Sequence, residues 1–445
     1  MYWVNFLHIY QPPTQTQEIL QKVADESYRK IIAGLLKNPR GKLTLNINAV
    51  LTEMLIKYGY ADIVENIKKL LERGQIELTA SAKFHPLLPK LPKEEIVRQI
   101  RLNDETNSKY FGPAYRPQGF FPPEMGYSPA LGDIIAGLGY KWMILDELAC
   151  PDLPLVPGKL YKNKHGLYFF FREREPSFKI LSAQIGTTES LVREFDNRLK
   201  RNEYLLTAMD GETFGHHRLG LEQLLLEIYQ SPQLPTLRVS DLFSLFSETI
   251  SLEPRPSTWA LMPKDMALNL PFARWDNPDN PIHQKQWALT RMAIKLVARE
   301  DETRHRLLDM ALHSDQYWWA SAKPWWSLEM IERGAYELLT AIRGFQHSTA
   351  ADKQKARDLY IGIITTGFEW QRTGMVANLS KREDEEMKER MDQNRPYISP
   401  EEYQKMIEVL NKQMLTAANQ QEYSRADQFR KRIAELTTEK SALGG

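Results

Sequence analysis

The chain has 445 residues, 42% apolar and 26% charged, an ordinary globular balance with room for one large domain and smaller attachments. A net charge of +1 argues against bulk electrostatic capture of nucleic acid or a membrane surface, and a lone cysteine, Cys150, excludes an intrachain disulfide and a cysteine-built zinc centre. No apolar run approaches the ~18 residues of a membrane-spanning helix, and no basic leader precedes the motif at His8, so the expected location is cytoplasmic.

Tyr2 to Tyr10 reads as a first strand that stops at Gln11-Pro12-Pro13, which leaves His8 and Gln11 at its C-terminal end, where they either bind a ligand or serve structure. Glu18 to Leu36 has helical spacing, Lys42 to Ile47 reads as strand, and Leu51 to Leu71 as helix ending at Gly74. Gln75 to Ala80 is a third strand with Glu77 inside it. A buried glutamate needs a partner, so Glu77 belongs either to an ion pair or to a site. His85 precedes Pro86 and is expected in an extended conformation, as a second candidate ligand-binding histidine.

Lys93 to Tyr110 is an amphipathic helix. In Phe120-Phe121-Pro122-Pro123-Glu124-Met125-Gly126, two prolines and flanking aromatics give Glu124 a rigid, apolar setting that suits a nucleophile better than a solvated surface charge. Leu131 to Leu138 reads as helix and Tyr140 to Leu145 as strand, followed by Asp146-Glu147; 150–180 reads as a Pro-rich loop and a strand pair. This alternation indicates parallel β/α units with carboxylates at the strand ends. Tyr204 to Thr207 begins a buried strand that runs into Ala208-Met209-Asp210-Gly211-Glu212-Thr213-Phe214-Gly215. There Asp210 is either a desolvated acid with a raised pKa or the first residue of a turn capped by Glu212.

Leu219 to Tyr229 is helical and Leu237 to Ser240 a further strand. Eight of the ten tryptophans lie between Trp259 and Trp370. Among them, Trp259 and Trp275 fall in a long Trp, Pro and Asn-rich loop and Trp318 in a helical region from Gln286 to about Gln371. Such rings either stack on sugar faces or fill a core. Lys381 to Arg395 is a charged linker, and Tyr403 to Asn419 and Tyr423 to Glu439 form an antiparallel helical hairpin started by Ser399-Pro400.

Five stretches, His8-Ile9-Tyr10-Gln11-Pro12, Gly74 to Leu78, Phe121 to Glu124, Met209 to Gly215 and Ala311 to Trp318, resemble in order and spacing the five signature regions of glycoside hydrolase family 57. The resemblance covers roughly residues 1–375. It implies an α/β fold, an incomplete (β/α)7 TIM-like barrel over 1–285, with a helical domain over 286–378 closing one side of the cleft. A linker (379–402) and the hairpin (403–445) follow. It also implies action on starch, glycogen or maltodextrin with retention of configuration, as a hydrolase or 4-α-glucanotransferase. Glu124 then corresponds to the nucleophile and Asp210 to the general acid/base, with His8, Gln11, Glu77, His85, Glu212, Trp259, Trp275, Asp315 and Trp318 around the substrate. No metal or organic cofactor is needed. Tyr10 stands where the family more often has a second His, and Met209 where it often has a polar group. Residues 403–438, with Met414, Ala417, Tyr423, Ala426, Phe429 and Ile433, resemble a UVR motif, which implies a protein partner or self-association. A non-catalytic glucan-binding scaffold is the alternative. A polysaccharide deacetylase ranks lower, because no His-x3-His metal spacing lies near the carboxylates.

Overall fold

The structure is a computed structural model and describes residues 1–322, 325–381 and 396–442; most of the expected charged linker, 382–395, lies outside the described residues. Ten strands are described: β1 (Tyr2–Ile9), β2 (Leu43–Ile47), β3 (Ile76–Leu78), β4 (Gly119–Phe120), β5 (Trp142–Asp146), β6 (Leu160–Lys162), β7 (Tyr168–Arg172), β8 (Tyr204–Asp210), β9 (Thr236–Leu237) and β10 (Thr249–Ser251). β8, β1, β2 and β3 lie side by side in one parallel set, and β7, β5 and β4 in another. A parallel bridge between Ala80 and Phe120 joins the two sets. Just past β7, Glu173 N donates to Leu206 O on β8 at 2.9 Å, so the sheet curls until its two edges meet. β6 runs antiparallel to β7 and carries β10.

The two-residue period of the strands decides what the curled sheet encloses. Val4 and Phe6 on β1, Leu206 and Ala208 on β8, Trp142 and Ile144 on β5, and Phe170 on β7 share one enclosed apolar cluster. The intervening Trp3, Leu7 and Ile9 face the outer helices, as do Leu205 and Met209. Two residues further along the inward series, apolar side chains give way to His8, Asn46, Asp146, Arg172 and Asp210. The inside of the sheet is therefore greasy at its base and polar at the C-terminal ends of its strands, as expected of a site-bearing parallel sheet.

Helices Pro281–Val297, Glu302–Ala311, Asp315–Trp318, Leu328–Gly344 and Ala350–Arg372 share a core with the outer face of β5 and β7. Arg98 clasps Glu302 and Asp309 with four hydrogen bonds of 2.6–2.9 Å. An antiparallel bridge pairs Pro86 with His313, and Ser314 N donates to His85 O at 2.9 Å. The helical region thus reaches the strand ends through residues 313–315.

Helices Pro400–Asn419 and Tyr423–Ala442 pack on each other, with Tyr403, Ile407, Leu410, Ala417, Phe429 and Leu436 buried and Leu219 of the preceding region joining them. Ser399 caps the first helix through a capping box with Glu402, as its sequence indicated. The pair docks through Arg193 to Glu402 (2.8 Å) and Gln413 to Glu222 (2.9 Å). No helix of the described residues is long and apolar enough to cross a membrane.

The stretch expected as one helix from Glu18 to Leu36 is divided. A π-helical segment, Ala24–Tyr28, separates Gln17–Val23 from Arg29–Lys37. Its Glu26 carbonyl lies against Gly215, whose φ is +101° and where a Cβ would stand 2.1 Å from Glu26 O. Only glycine fits that conformation and that approach. Gly215→Ala is therefore expected to lower unfolding free energy by at least ~2 kcal/mol, through backbone strain and overpacking. A urea midpoint unchanged from the parent would refute this.

Candidate active site

The polar end of the sheet begins with a strand-to-strand row. β1 and β8 pair so that His8 lies beside Asp210, and β1 and β2 pair so that His8 lies beside Asn46. His8 Nδ1 is 2.7 Å from Asn46 Oδ1, and Asn46 Nδ2 donates to Thr79 Oγ1 at 3.1 Å. Because Asn46 Oδ1 is an acceptor, we assign the His8 proton to Nδ1, leaving Nε2 with a lone pair. Burial, aided by His85, holds the His8 pKa well below its ordinary value, so the ring is neutral.

Glu124 sits on a turn after β4 with φ +62°, and Met125 follows at +47°. Two successive non-glycine residues in the left-handed region cost free energy and persist only when their surroundings over-determine them. Here Met125 N donates to Pro122 O (2.8 Å), and Trp259 N donates to Glu124 O (3.0 Å). The carboxylate is held just as firmly. Ser314 Oγ donates to Oε1 at 2.8 Å and Trp259 Nε1 to Oε2 at 2.9 Å. Burial raises its pKa to about 8; the Ser314 hydrogen bond opposes this, and the charges of Asp315 and Asp210 add to it.

The 313–315 segment contributes a charge relay. His313 donates towards Asp315 (3.2 Å) through Nδ1 and towards Glu337 (3.0 Å) through Nε2. Burial would depress the His313 pKa, but those two carboxylates overcome it and raise the value to about 9. Burial likewise pushes Asp315 upward, yet the hydrogen bond and charge of His313 hold it below the ordinary carboxylate value. Tyr10 donates to Asp315 at 2.7 Å, and its ring stacks on His85 with centroids 4.1 Å apart. His85 bonds Ser314 Oγ through Nδ1 at 3.0 Å, and its buried Nε2 has no hydrogen-bond partner in the structure.

Asp210 ends β8. Burial first, then the neighbouring Glu212 charge, lift its pKa to about 7, against the pull of Arg172. Arg172 is itself fixed by Asp146 (2.7 Å) and by the carbonyls of Ala208 (3.2 Å) and Trp259 (2.7 Å). Glu212 accepts from Tyr28 and from Gln11 (3.2 Å).

The structure therefore brings together His8, Gln11, His85, Glu124, Asp210, Glu212, Trp259 and Asp315. Glu77 is not among them. It pairs with Thr44, one inward layer below Asn46, and its carboxylate is satisfied by Thr44 Oγ1 (2.8 Å) and Ser240 N (3.0 Å). Trp275 is fully buried, stacked 5.0 Å from Trp318 in the core, and only the half-buried Trp318 has an edge towards solvent. His85 is not extended as the following proline suggested. Its φ is +56°, because its carbonyl and its ring are both held by Ser314.

Sequence reasoning missed Ser314, Tyr28, Asn46, Arg172, His313 and Glu337 as parts of this cluster. Arg172 ends β7 as Asp210 ends β8, a signal that could have found it. Tyr28 had none, since its placement comes from the π-helical turn. Away from the cluster, Glu95, His305 and Asp309 bring potential metal-ligating atoms within 4.8 Å of one another, but Arg98 engages both Asp309 oxygens.

The family model for glycosyl hydrolase family 57 matches residues 3–239, more than half of the chain. The chain belongs to glycosyl hydrolase family 57. This family 57 chain is 27% identical over 147 residues to an alpha-amylase of Pyrococcus horikoshii, covering 32% of this chain and 23% of that one. It is 25% identical over 164 residues to a 4-alpha-glucanotransferase of Thermococcus kodakarensis, covering 36% and 24%. The matched segment thus spans about a quarter of those relatives. Among solved structures, the 4-alpha-glucanotransferase of Thermococcus litoralis superposes with a TM-score of 0.63 at 16% identity, covering 78% of this chain and 59% of that one. A family 57 branching enzyme of Pyrococcus horikoshii gives 0.61 at 16% identity, covering 82% and 96%.

The histidines supply a test of the electrostatics. At pH 7, His313 is expected to be charged and to titrate near 9, whereas His8 stays neutral and His85 titrates near 4. Since the His313 value is raised by folding, its contribution to stability is complete below about 6.5 and is lost as pH rises through about 9. Side-chain NMR of the three imidazoles checks this; a His313 neutral at pH 7 would contradict it.

Proposed function

We propose that the protein is a retaining α-glucan-active enzyme, a hydrolase or 4-α-glucanotransferase acting on starch- or glycogen-type polysaccharide or maltodextrin. Glu124 is the nucleophile and Asp210 the general acid/base. The observation that carries the reading is the contrast between the two carboxyl groups. Both are buried at one end of the sheet, and the charge of Asp210 acts on Glu124. Glu124 receives two directed donors, which stabilise its anion against burial and the charges of Asp315 and Asp210 and orient it for attack. Asp210 stands beside the carboxylate of Glu212, which favours its protonated form.

In the reaction, a Glu124 oxygen attacks the anomeric carbon while Asp210 gives its proton to the departing glycosidic oxygen. A glycosyl ester of Glu124 results. Asp210, now ionised, takes a proton from water or from an acceptor sugar hydroxyl, which attacks the same carbon and releases Glu124. Two inversions give net retention, and the two carboxyl groups are expected about 5–5.5 Å apart. His8, with its Nε2 lone pair, the Asp315–His313–Glu337 relay and Trp259 border the reacting sugar. The sheet is read as an incomplete (β/α)7 barrel, with the helical region closing its cleft.

The UVR-like reading of residues 403–438 bears on the scaffold alternative. The apolar seam of that helix pair is buried within the pair and against this chain's own Leu219. A partner would therefore dock on its outer face or displace it.

With values of about 7 and 8 the pair carries one proton between them. Below this window both groups are protonated and the nucleophile is lost; above it both are ionised and the acid is lost. The pH dependence of kcat/KM is accordingly expected to be bell-shaped with its maximum between about 7 and 8. Glu124 holds the proton more tightly, so the reactive arrangement is roughly a tenth of the singly protonated form, which scales the bell without moving its limbs. A maximum below pH 6 would contradict the paired titration.

Incubation with maltooligosaccharides is expected to give shortened products, with lengthened ones as well if transfer competes with hydrolysis. Glu124→Gln should reduce turnover by more than ~10⁴-fold, and Asp210→Asn by roughly 10²–10⁴-fold. The Asp210→Asn loss should shrink on a substrate whose leaving group needs no proton. Undiminished rates in either variant would remove the assignment.

A further inference from the structure

Between the C-terminal helix pair and the sheet region lies a cleft of about 560 Å³, within the range of small-molecule sites. It lies outside the cluster of Glu124 and Asp210 and shares none of its residues. Its wall on the barrel side holds Gln184, 7% exposed, with neither amide atom hydrogen-bonded to any group in the structure. A buried amide with both ends unmet is uncommon and points to a partner that is absent. Arg218 lines the same cleft with only its Nε committed, to Leu181 O at 2.9 Å, and among the described residues no carboxylate reaches it. Arg432, from the second helix of the pair, faces the cleft as well; its Nη1 pairs with Glu435 at 2.8 Å and Glu439 at 3.8 Å.

We propose that this cleft binds a small phosphorylated sugar, with the guanidinium groups of Arg218 and Arg432 taking the phosphate. Arginine forks match phosphate oxygens in pairs. The remaining lining carries both signs: Lys405 and Lys431, paired with Glu189 and Asp427, and the acids Glu227, Glu435 and Glu439. Glu227 and Glu435 repel free phosphate but accept hydrogen bonds from sugar hydroxyls, as Gln184 both accepts and donates. Met406 and Leu410 supply an apolar surface for the C–H face of a pyranose ring.

The cleft is joined to the strand-end cluster by one short loop. His217 N donates to Glu212 O at 2.7 Å and Arg218 N to Thr213 O at 3.2 Å. A phosphate drawn onto Arg218 therefore bears on the backbone that carries Glu212. Binding itself does not depend on the proposed reaction.

Isothermal titration of the full chain with glucose 6-phosphate, inorganic phosphate and maltose tests the site. We expect one glucose 6-phosphate per chain, at least tenfold tighter than either other probe. Arg218→Gln and, independently, Gln184→Leu should each weaken it, the former at least tenfold, while Glu124→Gln leaves it unchanged. The proposal is overturned if glucose 6-phosphate gives no binding, if phosphate or maltose binds as tightly, or if neither cleft variant weakens it. Loss of binding in Glu124→Gln would overturn it too, by placing the sugar phosphate at the other site.

Discussion

The site depends on one carboxylate being gripped from two parts of the chain that are far apart in sequence. Ser314, from the helical region, and Trp259, from the long loop, each give a hydrogen bond to Glu124. Neither donor belongs to the sheet. Without the helical region seated on the strand ends, Glu124 would be a carboxylate on a left-handed turn with Trp259 as its one remaining side-chain donor, which is costly on both counts. The antiparallel bridge of Pro86 with His313 brings Ser314 into range. Packing of the helical region and chemistry at the sheet are therefore one structural problem.

The same economy of position explains Asp210. Strand alternation, continued past Leu206 and Ala208, leaves an acid facing the enclosed end of the sheet, beside His8. Its neighbours are a neutral imidazole, a second carboxylate and an arginine held by three other acceptors. That environment withholds the ion pair that would lock Asp210 in its ionised form, and a raised pKa follows from burial. Opposite it, Asp315 keeps its charge because a protonated His313 stands behind it. Acids of different protonation within one cluster come from which of them has been given a cation.

Much of this was legible in the sequence, for physical reasons that differ by element. β1, β2, β5 and β8 lie within a residue or two of where their apolar runs placed them at their starts, because buried parallel strands need continuous apolar sequence. β4 has two residues and β10 is exposed on an edge strand, so neither has a run to read. The helix at Arg174–Leu181 was hidden by the aromatic strand before it. Glu124 and Asp210 stood out because charge in an apolar or rigid setting needs a reason. Glu77 stood out by the same rule and had a different reason, two hydrogen bonds one layer below the site. Trp275 shows the limit of composition, since a tryptophan that fills a core and one that borders a cleft look alike in sequence. Ser314 was the costliest omission: a serine beside one recognised residue, Asp315, carries no signal until the fold shows what it touches.

The most direct test of the central claim is to find which side chain becomes covalently linked to sugar. The enzyme would be treated with 5-fluoro-α-D-glucosyl fluoride, digested, and the labelled peptide located by tandem mass spectrometry. The account predicts a single added sugar on Glu124. A sugar on any other carboxylate, Asp210 included, would contradict it.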